Sequence, residues 1–194
     1  MASGDPTLMR EVAGLAVPVA GRWRVNPQHT YVGFTVHHLL TVVRGRFREF
    51  GGTIVIADDP LRSSVEVTIE VASVDTGDVK VDEAARSPLL LDAEQFPSMQ
   101  FTSTAVGVQG GTLSVDGDLT VRGVVVPLRL ATTFHGAVRN PYGGLATMGW
   151  SATSGLDRRH AGVTTEFPVP DAPGVQVVGT HIGVVLEVEA GLLE

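Results

Sequence analysis

Val65-Glu66-Val67-Thr68-Ile69-Glu70-Val71 places an apolar side chain at every second position with a polar one between. Successive side chains of a strand point to opposite faces, so this stretch reads as an antiparallel strand with one dry face and one wet face. The same period of two runs outward in both directions. Val32, Phe34 and Val36 alternate with Gly33, Thr35 and His37, while Leu119 and Val121 alternate with Asp118, Thr120 and Arg122. Val126, Leu128 and Leu130 alternate with Pro127, Arg129 and Ala131, and Val184, Leu186 and Val188 with Val185, Glu187 and Glu189. With the runs near Gly45 to Ile56, Met99 to Val106 and Leu145 to Leu156, the chain reads as about eight strands. Turn signals join them at Asp58-Asp59-Pro60, Gly110-Gly111 and Asn140-Pro141-Tyr142-Gly143-Gly144. Eight alternating strands suit an all-β, antiparallel up-and-down barrel.

Two segments depart from this period. At the N-terminus, Asp5 before Pro6 is a helix-start signal, and Leu8, Met9, Val12 and Leu15 share one helical face. A short amphipathic helix is therefore expected there, ending near Gly14 to Pro18 and closing one barrel end. Residues 1–20 read as an N-terminal extension and residues 21–194 as the barrel domain. The second departure, Asp75 to Pro97, predicts short helical turns over Val79 to Leu91, between the third and fourth strands. An interruption of that length in a β domain suits a lid, and its run Leu89-Leu90-Leu91 needs apolar cover, which a barrel mouth offers.

At 194 residues the chain suits one domain with a core large enough to need no staple, and it contains no cysteine. Thiolate catalysis, disulfides and cysteine zinc sites are excluded. The 21 acidic against 14 basic residues give a net charge of -7, which disfavours nucleic acid and anionic membrane surfaces as partners. No apolar run is long enough for an integral membrane segment, and no signal-peptide core follows the N-terminus, so a cytoplasmic location is expected.

No metal or catalytic constellation emerges from the titratable residues. His37 and His38 are adjacent and point to opposite faces of a strand, and His29 lies roughly 30 Å from His38 along an extended chain. His135, His160 and His181 are isolated, and no nucleophile elbow, dinucleotide fingerprint, phosphate loop or His-Glu-x-x-His is present. Glu66, Glu70, Glu187 and Glu189 fall on outward parity. Arg158 and Arg159 read as a surface turn, with a clamp for an anionic head group as the alternative. An enzyme acting on a bound lipid or small substrate would draw on His38, Asp157 and His160, and requires them to converge on one wall.

The inward parity is apolar. Val32, Phe34, Val36, Val67, Ile69, Leu119, Val121, Leu128, Leu130 and Leu186 belong to it, with Phe47, Phe50, Phe101 and Trp150 as larger pieces and Leu89 and Leu90 from the interruption. These residues, with His38 inward by parity, are the candidate ligand-binding set. No catalytic or metal residue and no cofactor is assigned. Periodicity does not distinguish a hollow barrel from one filled by side chains, and a filled structural or interaction module stays open.

Several segments together resemble the YceI-like family. His29-Thr30-Tyr31-Val32-Gly33-Phe34-Thr35-Val36-His37-His38-Leu39 is similar to its first strand, and Phe47-Arg48-Glu49-Phe50-Gly51-Gly52 to its second. Ser73-Val74-Asp75-Thr76, Arg86-Ser87-Pro88-Leu89-Leu90 and Phe96-Pro97-Ser98-Met99-Gln100-Phe101-Thr102-Ser103-Thr104 follow in the family's order. So do Gly117-Asp118-Leu119-Thr120-Val121-Arg122-Gly123-Val124 and Asp157-Arg158-Arg159-His160-Ala161-Gly162-Val163. The resemblance implies an eight-stranded, lipocalin-like antiparallel barrel that binds a long-chain isoprenoid lipid, a polyisoprenoid or an isoprenoid quinone; it says nothing of catalysis, and the missing motifs are why no enzyme is expected. It also implies a homodimer. Two sites depart from it: Leu90 stands where the family usually has phenylalanine, and the pair His160-Ala161 replaces an acidic or polar residue and phenylalanine. Losing two aromatics is expected to widen the cavity or alter its ligand.

Overall fold

The computed structural model describes residues 4–109, 111–172 and 174–193. Met1 to Ser3, Gly110 of the Gly110-Gly111 turn, Pro173 and Glu194 lie outside them. In chain order the strands are β1 (Met9–Val12), β2 (Leu15–Pro18), β3 (Gly21–Val25), β4 (Tyr31–His38), β5 (Thr41–Phe47), β6 (Phe50–Ile56), β7 (Ser64–Glu70) and β8 (Val74–Asp75). Helix α1 (Val79–Arg86) follows, then β9 (Ser98–Gln109), β10 (Thr112–Val121), β11 (Val124–Arg139), β12 (Ala146–Asp157) and β13 (Val178–Leu192).

Three pairs of short strands act as single interrupted ones: β3 with β4, β5 with β6, and β7 with β8. Counted so, the sheet is an eight-membered antiparallel meander, each member paired with its chain neighbours. β13 pairs with β12 on one edge and with both β3 and β4 on the other, which closes the ring. Closure removes the two free edges that these eight members would present as an open sheet.

Hairpin chemistry explains the tight turns. Arg122-Gly123 joins β10 to β11 with φ of 50° and 73°, the left-handed pair that matches the strands' right-handed twist. Ala13-Gly14 does the same between β1 and β2, with φ of 52° and 80°. This overturns the N-terminal helix. Asp5 and Pro6 do start a helical turn, with the Asp5 carboxylate accepting from the Thr7 backbone, but that turn is 3-10 and spans only Pro6–Leu8. So short a segment cannot recover the nucleation cost of an α-helix, whereas a hairpin gains pairing and burial at once. Leu8 and Val17 are buried in it, and the Arg10 guanidinium donates to the Pro18, Ala57 and Asp58 carbonyls. The expected role survives the change of structure. Leu8 packs with Trp23, Ile56, Ala137, Ala146, Met148 and Ala190, forming the floor of the barrel.

The opposite end carries α1 and the turns after it, in agreement with the helical turns expected over Val79 to Leu91. Asp78 caps α1 by accepting from the Lys80 backbone, and the buried Asp82 carboxylate accepts from the Thr76 backbone and hydroxyl, both at 2.7 Å. Arg86 donates back to the Ala72 and Val74 carbonyls. From the far side, Arg122 donates to the Pro88 and Leu90 carbonyls and stacks over the Phe96 ring. The segment is thus a lid tied at both margins.

Asp75 fixes the start of this lid. Its carboxylate contacts Arg46 at 3.1 Å and Arg48 at 2.7 Å. The Arg46 hydrogen bond, aided by one from the Gly77 backbone and the nearby Arg48 charge, holds the Asp75 carboxyl below its ordinary value. A carboxylate whose folded pKa is depressed contributes stability above its unfolded pKa, and that contribution is lost as pH falls through the folded value. Wild type should therefore exceed Asp75→Asn in denaturant midpoint at pH 7. The gap should close as pH falls below the carboxylate range. A gap that stays constant down to pH 2 would refute this role.

Candidate functional site

Inside the barrel lies a cavity of about 600 Å³, within the size range of small-molecule sites and far above ordinary packing voids. It runs from Val17, Ile56 and Leu113 at the floor to Val163, Leu90 and His38 at the lid. Along β10 the wall extends from Leu113 to Val121, about 26 Å of strand at ~3.3 Å per residue, or about 20 Å of axial length once the strand tilt is allowed for. The barrel is therefore hollow, and the filled-barrel alternative is not the structure observed.

Strand parity accounts for the wall. β4 contributes Val32, Phe34, Val36 and His38; β5 contributes Phe47; β6 contributes Phe50; and β7 contributes Val67 and Ile69. Phe101 comes from β9, Leu119 and Val121 from β10, Leu128 and Leu130 from β11, Trp150 from β12 and Leu186 from β13. Leu89 and Leu90 reach it from the lid, Leu90 half-buried and Leu89 more exposed. The whole candidate set thus faces one space. In β11 the burial alternates residue by residue, with Val126, Leu128 and Leu130 inside and Pro127, Arg129 and Ala131 outside.

Two glycines let aromatic rings lie flat against this wall. A Cβ at Gly45 would stand 2.3 Å from the Phe34 ring, and one at Gly117 2.4 Å from the Phe101 ring. Phe34 also meets Phe47 in a tilted pair with centroids 5.7 Å apart. Without those glycines the rings would be driven into the cavity.

Other wall residues escaped the period-two reading. Val106 is one, because a bulge in β9, where Ala105 pairs with Asp116 but Ser103 with Gly117, switches the inward parity after Phe101. Val65, Val184 and Val188 share the parity of Val67 and Leu186 and were legible by that signal. Arg158 is the largest correction. The turn forms, over Arg158–Ala161, but the Arg158 side chain is not at the surface: it is 3% exposed, lines the cavity, and donates to the carbonyls of Val163 at 2.6 Å and Gly179 at 3.0 Å. Arg159 beside it does face solvent, bonded to Asp157, and this contact holds the Asp157 carboxyl well below the usual carboxylate range.

The constellation an enzyme would need does not assemble. His38 lines the cavity, whereas Asp157 is engaged by Arg159 and the exposed His160 is not part of the wall. Among the described residues no cluster of histidine and carboxylate side chains has the makings of a metal site. No helix among them is long and apolar enough to cross a membrane.

The family model described as the YceI-like domain matches residues 23–190. The chain belongs to the YceI-like family. Protein YceI of Salmonella arizonae is 33% identical over 153 residues, covering 77% of this chain and 80% of that relative, and Protein YceI of Salmonella newport matches equally. Among solved structures, Burkholderia cenocepacia BcnA superposes with a TM-score of 0.68 at 20% identity, covering 85% of this chain and 98% of its own. A polyisoprenoid binding domain from Saccharophagus degradans superposes with a TM-score of 0.62 at 13% identity, covering 90% of this chain and all of its own (100%). At those identities the likeness is one of fold. Of the departures noted in the sequence, Leu90 and Ala161 stand on the cavity wall, whereas His160 is exposed and does not.

Proposed function

We propose that this protein binds and carries a long isoprenoid lipid, a polyisoprenoid or an isoprenoid quinone, inside its barrel. The observation that carries this reading is the cavity itself: long, narrow, continuous from floor to lid, and apolar along nearly all of its wall. Each methylene removed from water contributes about 0.8 kcal/mol, so a chain of some tens of carbons offsets the ordering cost of binding without many polar anchors. The family and the polyisoprenoid-binding neighbour support the same ligand class. The dispersed placement of His38, Asp157 and His160 supports a carrier over a catalyst. Organic extraction and mass spectrometry of the purified protein, with titration of a fluorescent hydrophobic probe, test the proposal. An isoprenoid should copurify, and binding should saturate at one site per barrel. No lipid and no saturable binding would overturn it.

The lid gives a sharper test. Leu90 is half-buried against the cavity while its backbone is latched by Arg122. Leu90→Asp should release bound lipid about tenfold faster and shift the thermal midpoint little, because a lid opens locally without unfolding the strands. A lowered midpoint with retention intact would make Leu90 purely structural. A homodimer and a cytoplasmic location complete the proposal, tested by sedimentation at micromolar concentration and by cell fractionation.

A further inference from the structure

The polar groups of the cavity are distributed unevenly. A chain with 21 aspartates and glutamates against 14 lysines and arginines places no carboxylate on the wall among the described residues, yet places Arg158, Lys80 and His38 there, all at the lid end. Resting on the lipid-binding reading above, we propose that the preferred ligand carries an acidic head group, a phosphate or a carboxylate, seated against these three side chains.

Arg158 carries most of the argument. It is 3% exposed, and Nε, Nη1 and Nη2 donate to the carbonyls of Gly179, Val163 and Val178 at 3.0, 2.6 and 3.5 Å. Carbonyls orient a guanidinium but do not neutralise it, and five N–H groups leave donors to spare beyond those three bonds. A buried charge without a counter-charge is costly, and an anion from the ligand removes that cost. His38 lies beside it, since His38 pairs with Val178, whose carbonyl Arg158 engages. Lys80 reaches the same wall from α1, and among the described residues no carboxylate lies within ion-pair distance of its ammonium or of the Arg158 guanidinium.

The neutral donors nearby are already engaged. The Thr76 hydroxyl donates to Asp82 and the Ser87 hydroxyl to the Ala84 carbonyl. What remains for a ligand is the positive charge of Arg158 and Lys80 beside the His38 imidazole, and the two charges favour an anion over a neutral quinone ring. Room for such a head exists beside it. Ala161, a small residue, closes the same short turn that Arg158 opens, and Leu90 faces the cavity from the lid.

The test uses the full-length protein stripped of lipid, titrated with geranylgeranyl phosphate against geranylgeraniol and with palmitate against palmityl alcohol. Wild type should prefer at least one acid over its matched alcohol by about tenfold or more, and the pair that shows it distinguishes prenyl phosphate from fatty carboxylate. In Lys80→Met and Arg158→Met the ratio of acid to alcohol affinity should fall to about threefold or less. Arg158 also ties its turn to β13, so Lys80→Met, at an exposed position on α1, carries the test if Arg158→Met does not fold. Equal binding of acid and alcohol, or a preference untouched by the folded variants, overturns the head-group assignment while leaving the carrier in place. Binding of none of the four overturns the carrier itself.

Discussion

Leu186→Trp is expected to cut lipid retention by tenfold or more while leaving the thermal midpoint unchanged or raised. Leu186 lies in the middle of β13, paired with Val32 on one side and Ala152 on the other, and all three side chains face the cavity. In a close-packed core the added volume would force neighbours off their rotamers and cost about 1–3 kcal/mol. Here it enters empty space of about 600 Å³, where filling a void stabilises by ~0.5–2 kcal/mol. The same indole obstructs the narrow bore along which an extended chain would lie. Ligand extraction and differential scanning calorimetry on the same preparation check both halves. A midpoint lowered by more than a few degrees would mean that the interior is packed, and undiminished lipid would mean that the ligand sits elsewhere.

The second large effect is on stability. Trp23 is fully buried in the floor, 0% exposed, among Leu8, Ile56, Ala137, Met148 and Ala190. Trp23→Ala should cost about 3–5 kcal/mol, the usual loss when a large aromatic is removed from a core. For a domain of this length that corresponds to a midpoint lowered by about 10 °C. Trp23→Phe should cost much less, for a reason particular to this site: the Trp23 Nε1 is buried without an acceptor among the described residues. Phenylalanine removes that unsatisfied donor, worth ~1–3 kcal/mol as a penalty, and so offsets part of the lost packing. Urea unfolding of both variants measures the difference. Equal losses for Phe and Ala would show that the indole nitrogen is satisfied in solution.

These two sites mark the ends of what could be read from the residues alone. Leu186, like Val67, Leu128 and Phe101, was assigned to the interior by alternation, and alternation is a local property of strands. Each residue's face follows from its immediate neighbours without knowledge of the partner strand. The lid was legible for the same kind of reason, since Leu89-Leu90-Leu91 in a break of the β pattern has to be covered by something. Where a bulge intervened, the local rule failed. Thr104 is the extra residue opposite the Asp116/Gly117 step, and beyond it the inward side passes to Val106.

An all-β chain of about eight alternating strands, an apolar inner face and a lid between the third and fourth strands all follow from local residue patterns. Three further features depend on contacts between segments distant in the chain. Hollowness was one, because side chains of a given face meet or leave a gap according to the ring's closure and radius, which no single strand encodes. The N-terminal hairpin was another. Asp5-Pro6 and Gly14 permit either a helix or a 3-10 turn and strand pair, and the choice falls to the floor that receives Leu8 and Val17. The third was the burial of Arg158, whose carbonyl partners come from Val163, Val178 and Gly179 on the far side of a loop. An arginine is read as exposed until the fold itself surrounds it with acceptors.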